Sequence, residues 1–439
     1  MSQHSRPSGL VLTESRAVRL FSFFLFYFGQ GLPVGISTVA LPAWVAANGG
    51  SAADVAALVA TAYLPWSFKF IPAALMDRYS FLAMGRRRAW LIFAQGLMMA
   101  GFALAAVAAP GPDDVQLLVY VVFLIGAGAA VQDVSVDGLA VDIVPEREQG
   151  PASSFMFGGQ TVGRALSGAG SGVMLQMFGS QAAFLAFLPV IALITVYAIL
   201  LRERPGEKLL PWSQGKASPV NLERQVDNLL KVVTITLRAL FTRDSLVLIA
   251  GSALYRTAGG ILTAMWPILA TTYLAYTTAS YSSMISLVDL VSAIASIAIG
   301  SFLTVRFGPR IATVVVVLMF AALALFVWLG SALWMVTAVF VGTSAIYSAS
   351  NTLTSICSNP LRMRLSDPQV AATQFTIYNS ISNLPVSLGA MLFAWLGGTD
   401  QLSTVLALAS GLFVFAALVL SALRIGGAHS KSEPVPTMN

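Results

Sequence analysis

Residues 66–90 read WSFKFIPAALMDRYSFLAMGRRRAW. One cation, Lys69, lies in an apolar run with no other charge back to Asp54; Asp77-Arg78 and the triplet Arg86-Arg87-Arg88 follow. The triplet reads as a water-exposed loop, whereas Lys69 reads as a charge inside a span. A charge in hydrocarbon costs a few kcal/mol or more, so Lys69 needs a partner or water. The rest of the chain agrees. Of 439 residues, 57% are hydrophobic and 10% charged, against roughly 25% charged in soluble domains. A polytopic membrane protein follows.

Apolar runs long enough to span as helix recur at 18–45, 53–76, 89–109, 115–143, 152–177, 181–201, 245–273, 278–304, 311–330, 332–357, 370–396 and 401–424. Helix is required because lipid cannot satisfy an open backbone. The first run is too long for the apolar part of a cleaved signal peptide. Connections 46–52, 110–114, 178–180, 274–277, 331 and 397–400 carry no Lys or Arg. Apart from Lys69, Arg164 and Arg256, the 25 basic residues fall in the tails, the other connections or the adjoining helix ends. Positive charge stays on the cytoplasmic side, so both termini are expected there. The basic balance is thereby explained, and no nucleic-acid partner is expected.

Residues 202–243 form one long polar connection with six spans on either side. The expected division is a six-helix bundle over 1–201, a cytoplasmic linker over 202–243 and a second six-helix bundle over 244–439. In the linker, Leu222, Val226, Leu229, Leu230, Val233, Leu237 and Leu240 recur at helical spacing, which predicts an amphipathic helix on the membrane surface. The halves echo each other. AALMDRYSFLAMGRRR (73–88) is matched by SFLTVRFGPR (301–310), and SSFMFGGQTVGRA in span 5 by ATQFTIYNSISNL in span 11. Two parallel six-helix repeats joined by an inner loop describe an all-α membrane protein of twelve transmembrane helices with the major facilitator fold.

FYFGQGLPVGI (26–36), LPWSFKFIPAALMDRY (64–79), GRRRAWLIFAQ (85–95), QDVSVDGLAVDIVPEREQG (132–150) and AATQF (371–375) resemble the AmpG-type branch of that superfamily. The branch groups proton-linked muropeptide permeases, acetyl-CoA transporters and siderophore importers. The resemblance implies a multi-pass secondary transporter, not an enzyme, in the bacterial inner membrane. It implies import of an anionic, amphipathic small solute, anhydro-muropeptide first, with a siderophore or acetyl-CoA as the alternative. A monomer is expected, with no cofactor; the proton gradient is the energy source. Muropeptide permeases of this branch are longer, with further C-terminal spans.

Several chemistries drop out. The two histidines, His4 and His429, are in the tails, so no His-ligated metal is expected in the membrane. Cys357 is the one cysteine and reads as packing. Gly215-Lys216 lacks the rest of a Walker A loop.

Six charges remain inside spans: Lys69, Arg164 and Arg256 against Asp133, Asp137 and Asp289. Asp133 and Asp137 share one helix face. Asp133, backed by Asp137 and Lys69, is the expected proton site, with Asp289 second. Static alternatives stay open: Lys69–Asp133 as a fold-locking pair, and Arg164 or Arg256 as structural partners of Asp133 or Asp289. Arg164 and Arg256, from opposite halves, are expected to grip the solute anion, because a guanidinium fork binds two oxygens. Tyr27, Gln30, Trp66, Gln160, Tyr255, Trp266, Gln374 and Asn379 are expected to line the pocket, with Asn351, Tyr378 and Asn383. The cytoplasmic gate is assigned to Asp77, Arg78, Arg86, Arg87, Arg88, Asp142 and Arg147, with Glu146.

Overall fold

A computed structural model describes residues 10–223, 240–330, 333–365 and 371–424. Among the described residues, eight helices are long and apolar enough to cross a membrane, and two of these are pairs broken at Gly179 and Gly308. At both breaks φ is positive, 76° and 78°, a region that glycine enters at little cost. The helices are α1 (Arg16–Ala47), α2 (Ala52–Arg78), α3 (Arg88–Ala108), α4 (Val115–Ile143), α5 (149–178), α6 (180–200), α7 (Arg243–Tyr273), α8 (278–307), α9 (309–329), α10 (Thr337–Leu365), α11 (Ala371–Ile381 then Leu384–Trp395) and α12 (Leu402–Ser421). Most of the predicted linker helix lies outside the described residues.

Glycines set the helix crossings. A Cβ at Gly31 would lie 2.4 Å from Gln160 O, and one at Gly163 would lie 2.2 Å from Phe28 O. Their counterparts in the second half are Gly260 against Val386 O and Gly389 against Thr257 O. Backbones this close leave no room for a side chain, so α1 packs on α5 as α7 packs on α11. This crossing corrects the sequence register: Gln160 corresponds to Val386, not to Asn379. The echo between 153–165 and 372–384 is carried by similar residue types, whereas the crossing is fixed by where the small residues fall.

Prolines break α2 and α11 at mid-membrane. Pro72 cannot donate to Phe68 O, and α2 opens at Phe68-Lys69. Pro385 has the same effect on α11, which opens at Ser382-Asn383. The linker-side parts of α2 and α11 touch across the two halves, and hydrogen bonds join the halves at the end away from the linker. There Ser387 Oγ donates to Ala60 O at 2.7 Å, and Ala279 N donates to Gln176 Oε1 at 2.8 Å. Gly168 and Gly172 of α5 let Ser286 and Ser282 of α8 approach. At the linker end, Leu10–Val11 pairs in parallel with Leu201–Arg202, tying the N-terminal segment to the start of the linker.

Candidate functional site

The break in α2 delivers Lys69 into the bundle. Its Nζ donates to Asp133 Oδ2 at 2.7 Å, and both side chains are buried. Gln30 Nε2, from α1, donates to the other oxygen, Asp133 Oδ1, at 2.7 Å. One turn along α4, Asp137 accepts from the Tyr27 hydroxyl. Behind this layer Gln95 Nε2 donates to Gln132 Oε1 at 2.6 Å, and Gln132 Nε2 to Phe26 O at 2.5 Å. Each carboxylate thus has a donor from α1, and the ammonium sits on Asp133. Gln30 Oε1 is buried with no hydrogen-bond partner among the described residues.

Arg164 of α5 pairs with Asp289 of α8 at 2.8 Å, across the two halves. The Arg164 side chain is 40% exposed, so it faces an open space while bonded. Tyr63, Tyr281 and Tyr347 lie within its electrostatic reach. Arg256 is held by the broken backbone of α11: its Nε donates to Ser382 O and its Nη2 to Asn383 Oδ1, each at 3.0 Å. A small cavity lies between the halves, with Tyr63 from α2, Tyr255 and Arg256 from α7, Asn351 from α10 and Val386 from α11 in its wall.

Other expected pocket residues are placed differently. Trp266 is buried, stacked on Phe340 and Tyr347, and its Nε1 donates to Ser344 Oγ at 2.7 Å, so it packs the second half rather than facing the cavity. Trp66 is half-buried and packs on the core. Gln160 is half-buried, with its backbone oxygen pressed on Gly31. The Tyr378 hydroxyl meets Ser245 Oγ at 2.6 Å. The side chain of Gln374 lies outside the described residues. Asn379 accepts from Arg362 at 2.6 Å. Arg362 is absent from the sequence reading, where span 10 ends at 357. The helix continues through Pro360 to Leu365, and Arg362 is buried inside it.

Of the expected gate residues, Asp77, Arg86, Arg87 and Asp142 form a network within the first half. Asp77 takes Arg86 at 3.3 Å and Arg87 at 2.5 Å; Asp142 takes Arg86 at 3.2 Å and Arg87 at 3.6 Å. Arg78 is exposed, over the Tyr79 ring, and Arg147 is exposed as well. The buried residue of that segment is Glu148, which pairs with Arg19 at 2.6 Å. The side chain of Glu146 lies outside the described residues. Arg88 turns away from the gate. It donates to Met84 O and Leu209 O, and also to Leu201 O and Lys208 O.

The linker supplies what the loop reading lacked. Glu203 is fully buried and accepts the backbone N–H groups of Arg86, Arg87 and Arg88 at 2.7–2.8 Å, filling the N-terminus of α3 with its own carboxylate. Glu207 accepts from the backbone of Glu203 and Arg204 and from Asn221 Nδ2. Burial pushes the Glu203 carboxyl above its ordinary range. Burial, then the neighbouring Glu203 charge, pushes Glu207 up to about 7.

These helices and paired charges describe a membrane transporter. The Major Facilitator Superfamily profile matches residues 20–390, and the chain belongs to that superfamily. Among curated proteins it is similar to the Anhydromuropeptide permease of Escherichia coli (strain K12), 30% identical over 143 residues, 32% of this chain and 28% of that one. It is also similar to the Putative transporter AmpG 4 of Rickettsia felis, 27% identical over 194 residues, 42% of this chain and 46% of the relative. The aligned stretches span less than half of the relatives' own length. Among solved structures, the nucleoside transporter NupG superposes with a TM-score of 0.67 at 12% identity, covering 92% of this chain and 98% of that one. The D-xylose-proton symporter superposes at 0.66 and 13% identity, covering 92% and 97%. At such identity they share the fold alone.

Proposed function

We propose that this chain imports an anionic, amphipathic solute, anhydro-muropeptide first, together with protons, by alternating access across the bacterial inner membrane. The observation that carries this reading is the Lys69–Asp133–Asp137 cluster. Two carboxylates on successive turns, one ammonium and one phenol form a cluster whose charge can change by one proton. With both histidines in the tails, carboxylates and Lys69 are the groups left inside the spans to carry it. Charges buried within a membrane span are costly and mark functional sites by default, which supports this reading. Similarity to the Anhydromuropeptide permease of E. coli supports the solute class, and similarity to the Rickettsia AmpG 4 supports transport. The linker end faces the cytoplasm in this reading, by its Lys and Arg content.

The test uses right-side-out vesicles, with everted vesicles as the control, labelled anhydro-muropeptide and an imposed proton gradient. Asp133→Asn is expected to abolish uphill accumulation and to retain counterflow of the same solute. Full accumulation by Asp133→Asn, with loss in Asp289→Asn, would move the proton site to α8. Absence of both uptake and counterflow in the wild type would end the muropeptide assignment.

A further inference from the structure

Gln30, Gln95 and Gln132 are all fully buried, and they are held differently. Gln132 is pinned on both sides of its amide: Oε1 accepts from Gln95 Nε2, and Nε2 donates to Phe26 O. Gln95 is pinned as well, because its own Oε1 accepts from Thr195 Oγ1 at 3.3 Å. Turning either amide over would set donor against donor and acceptor against acceptor. Gln30 is held on one side only. Its Nε2 donates to Asp133 Oδ1 at 2.7 Å, while its Oε1 is buried with no hydrogen-bond partner among the described residues.

A glutamine amide carries a donor and an acceptor on one planar group, exchanged by half a turn about its last torsion. An ionised carboxylate only accepts, so Asp133 takes Nε2. Lys69 Nζ occupies Oδ2, which leaves Oδ1 as the oxygen that faces no cation. With a proton on Oδ1 the carboxyl becomes a donor there, and a turned-over Gln30 accepts it through Oε1. In either state one amide atom bonds Asp133, and the other faces the side where the described residues offer no partner. The two orientations therefore make the same number of bonds. A water on that side, able to donate or accept, would serve both. The charged and titratable groups around the carboxylate are Lys69 from α2, Tyr27 from α1 bonded to Asp137, and Arg362 of α10 within electrostatic reach of Lys69.

We propose that Gln30 is a positioning residue for the proton at Asp133: its N–H holds the ionised carboxylate, its carbonyl, turned over, holds the protonated one, and the amide follows the proton. The step adds one proton to Oδ1, supplied by the gradient, and changes no other covalent bond. The inference rests on the proton-coupling reading above and names the side chain that reports the proton's arrival. Gln95 and Gln132, fixed on both sides, form the rigid layer behind it.

The experiment records infrared difference spectra between low and high pH, on the purified full chain carrying glutamine isotopically labelled at its side-chain carbonyl. The acid carbonyl band of Asp133 is identified by its loss in Asp133→Asn, and the Gln30 carbonyl band by its loss in Gln30→Met. As Asp133 takes its proton, the Gln30 band is expected to move to lower wavenumber, because a carbonyl without a partner gains an O–H donor. That movement should vanish in Asp133→Asn and persist in Asp137→Asn. In Gln30→Met the Asp133 acid band should move to higher wavenumber, since its O–H loses the acceptor. Gln30→Asn keeps an amide on a shorter stem and should shift the acid band less; it carries the test if Gln30→Met fails to fold. An Asp133 band that titrates beside an unmoved Gln30 carbonyl overturns the inference and leaves the proton site standing. A Gln30 movement that is lost in Asp137→Asn and kept in Asp133→Asn overturns it too. No Asp133 acid band at any pH where the protein stays folded overturns both the inference and the proton site.

Discussion

Lys69 and Glu207 show two ways in which a buried charge is kept. Lys69 sits where Pro72 opens α2, and it is matched by Asp133 at 2.7 Å, with Gln30 on the carboxylate's other oxygen. Removing one partner of such a pair leaves the other charge buried alone, at a cost of about 3–5 kcal/mol. Lys69→Ala should therefore unfold more readily than Lys69→Ala/Asp133→Ala. A double mutant no more stable than the single would show that the pair is not energetically coupled. Glu207 is outside the membrane helices, and its carboxyl is raised to about 7 by burial and by Glu203. A carboxyl raised on docking binds a proton as the linker docks. Docking is thus favoured most below the ordinary carboxyl pKa, and that advantage is lost as pH rises through about 7. Amide protection of residues 203–208, corrected for intrinsic exchange, should fall as pH rises through that value. Glu207→Gln should flatten that slope, because the amide has no proton to release. A slope unchanged in Glu207→Gln would assign the titration to another group.

Between elements, the α2–α3 connection is shaped as much by the linker as by its own arginines. Gly85 holds φ at 104°, and a Cβ there would lie 2.4 Å from the Glu203 carboxyl carbon. The conformation is rare for any other residue, and the space is already filled. Gly85→Ala should cost roughly 1–3 kcal/mol of stability, from strain together with the displaced carboxylate. Thermal unfolding followed by tryptophan fluorescence reads it. If Glu203→Ala relieves the Gly85→Ala defect, the collision is the cause; if it does not, backbone strain is. The same contact separates Arg88 from the other two arginines. Arg86 and Arg87 bridge Asp77 and Asp142, but Arg88 serves the linker.

At the scale of the whole molecule, hydrogen bonds join the halves at the end away from the linker, and the halves share the Arg164–Asp289 pair across their interface. Alternating access requires that interface to part. In a Cys357→Ser background, Ala60→Cys and Ser387→Cys should form a disulfide and stop transport, with recovery on reduction, because Ser387 Oγ lies 2.7 Å from Ala60 O. Adding Asp289→Asn should slow the cross-linking several-fold by loosening the two halves. Full transport with the disulfide in place would show that this face does not open.

Much of this protein could be read along the chain. Apolar run lengths located the membrane helices, because crossing hydrocarbon demands length and a satisfied backbone whatever the packing. The placement of Lys and Arg away from alternate connections, and the six charges left inside spans, were visible for the same reason: charge in lipid is costly enough to be conspicuous. Partners were not visible, because they come from helices far apart in sequence. Lys69 could have met either aspartate of α4, and Arg164 either Asp133 or Asp289. Only the crossing of α5 with α8, set by Gly168 and Gly172, put Arg164 on Asp289. The register between the halves went astray because residue types echo where backbone crossings do not. Arg362 was hidden by its position near a helix end rich in polar residues, where an arginine reads as solvated. Its burial depends on how far α10 continues and on Asn379 arriving from α11. Glu203 was hidden more deeply still, since a glutamate in a polar linker carries no local sign that three backbone N–H groups at the start of another helix will close around it.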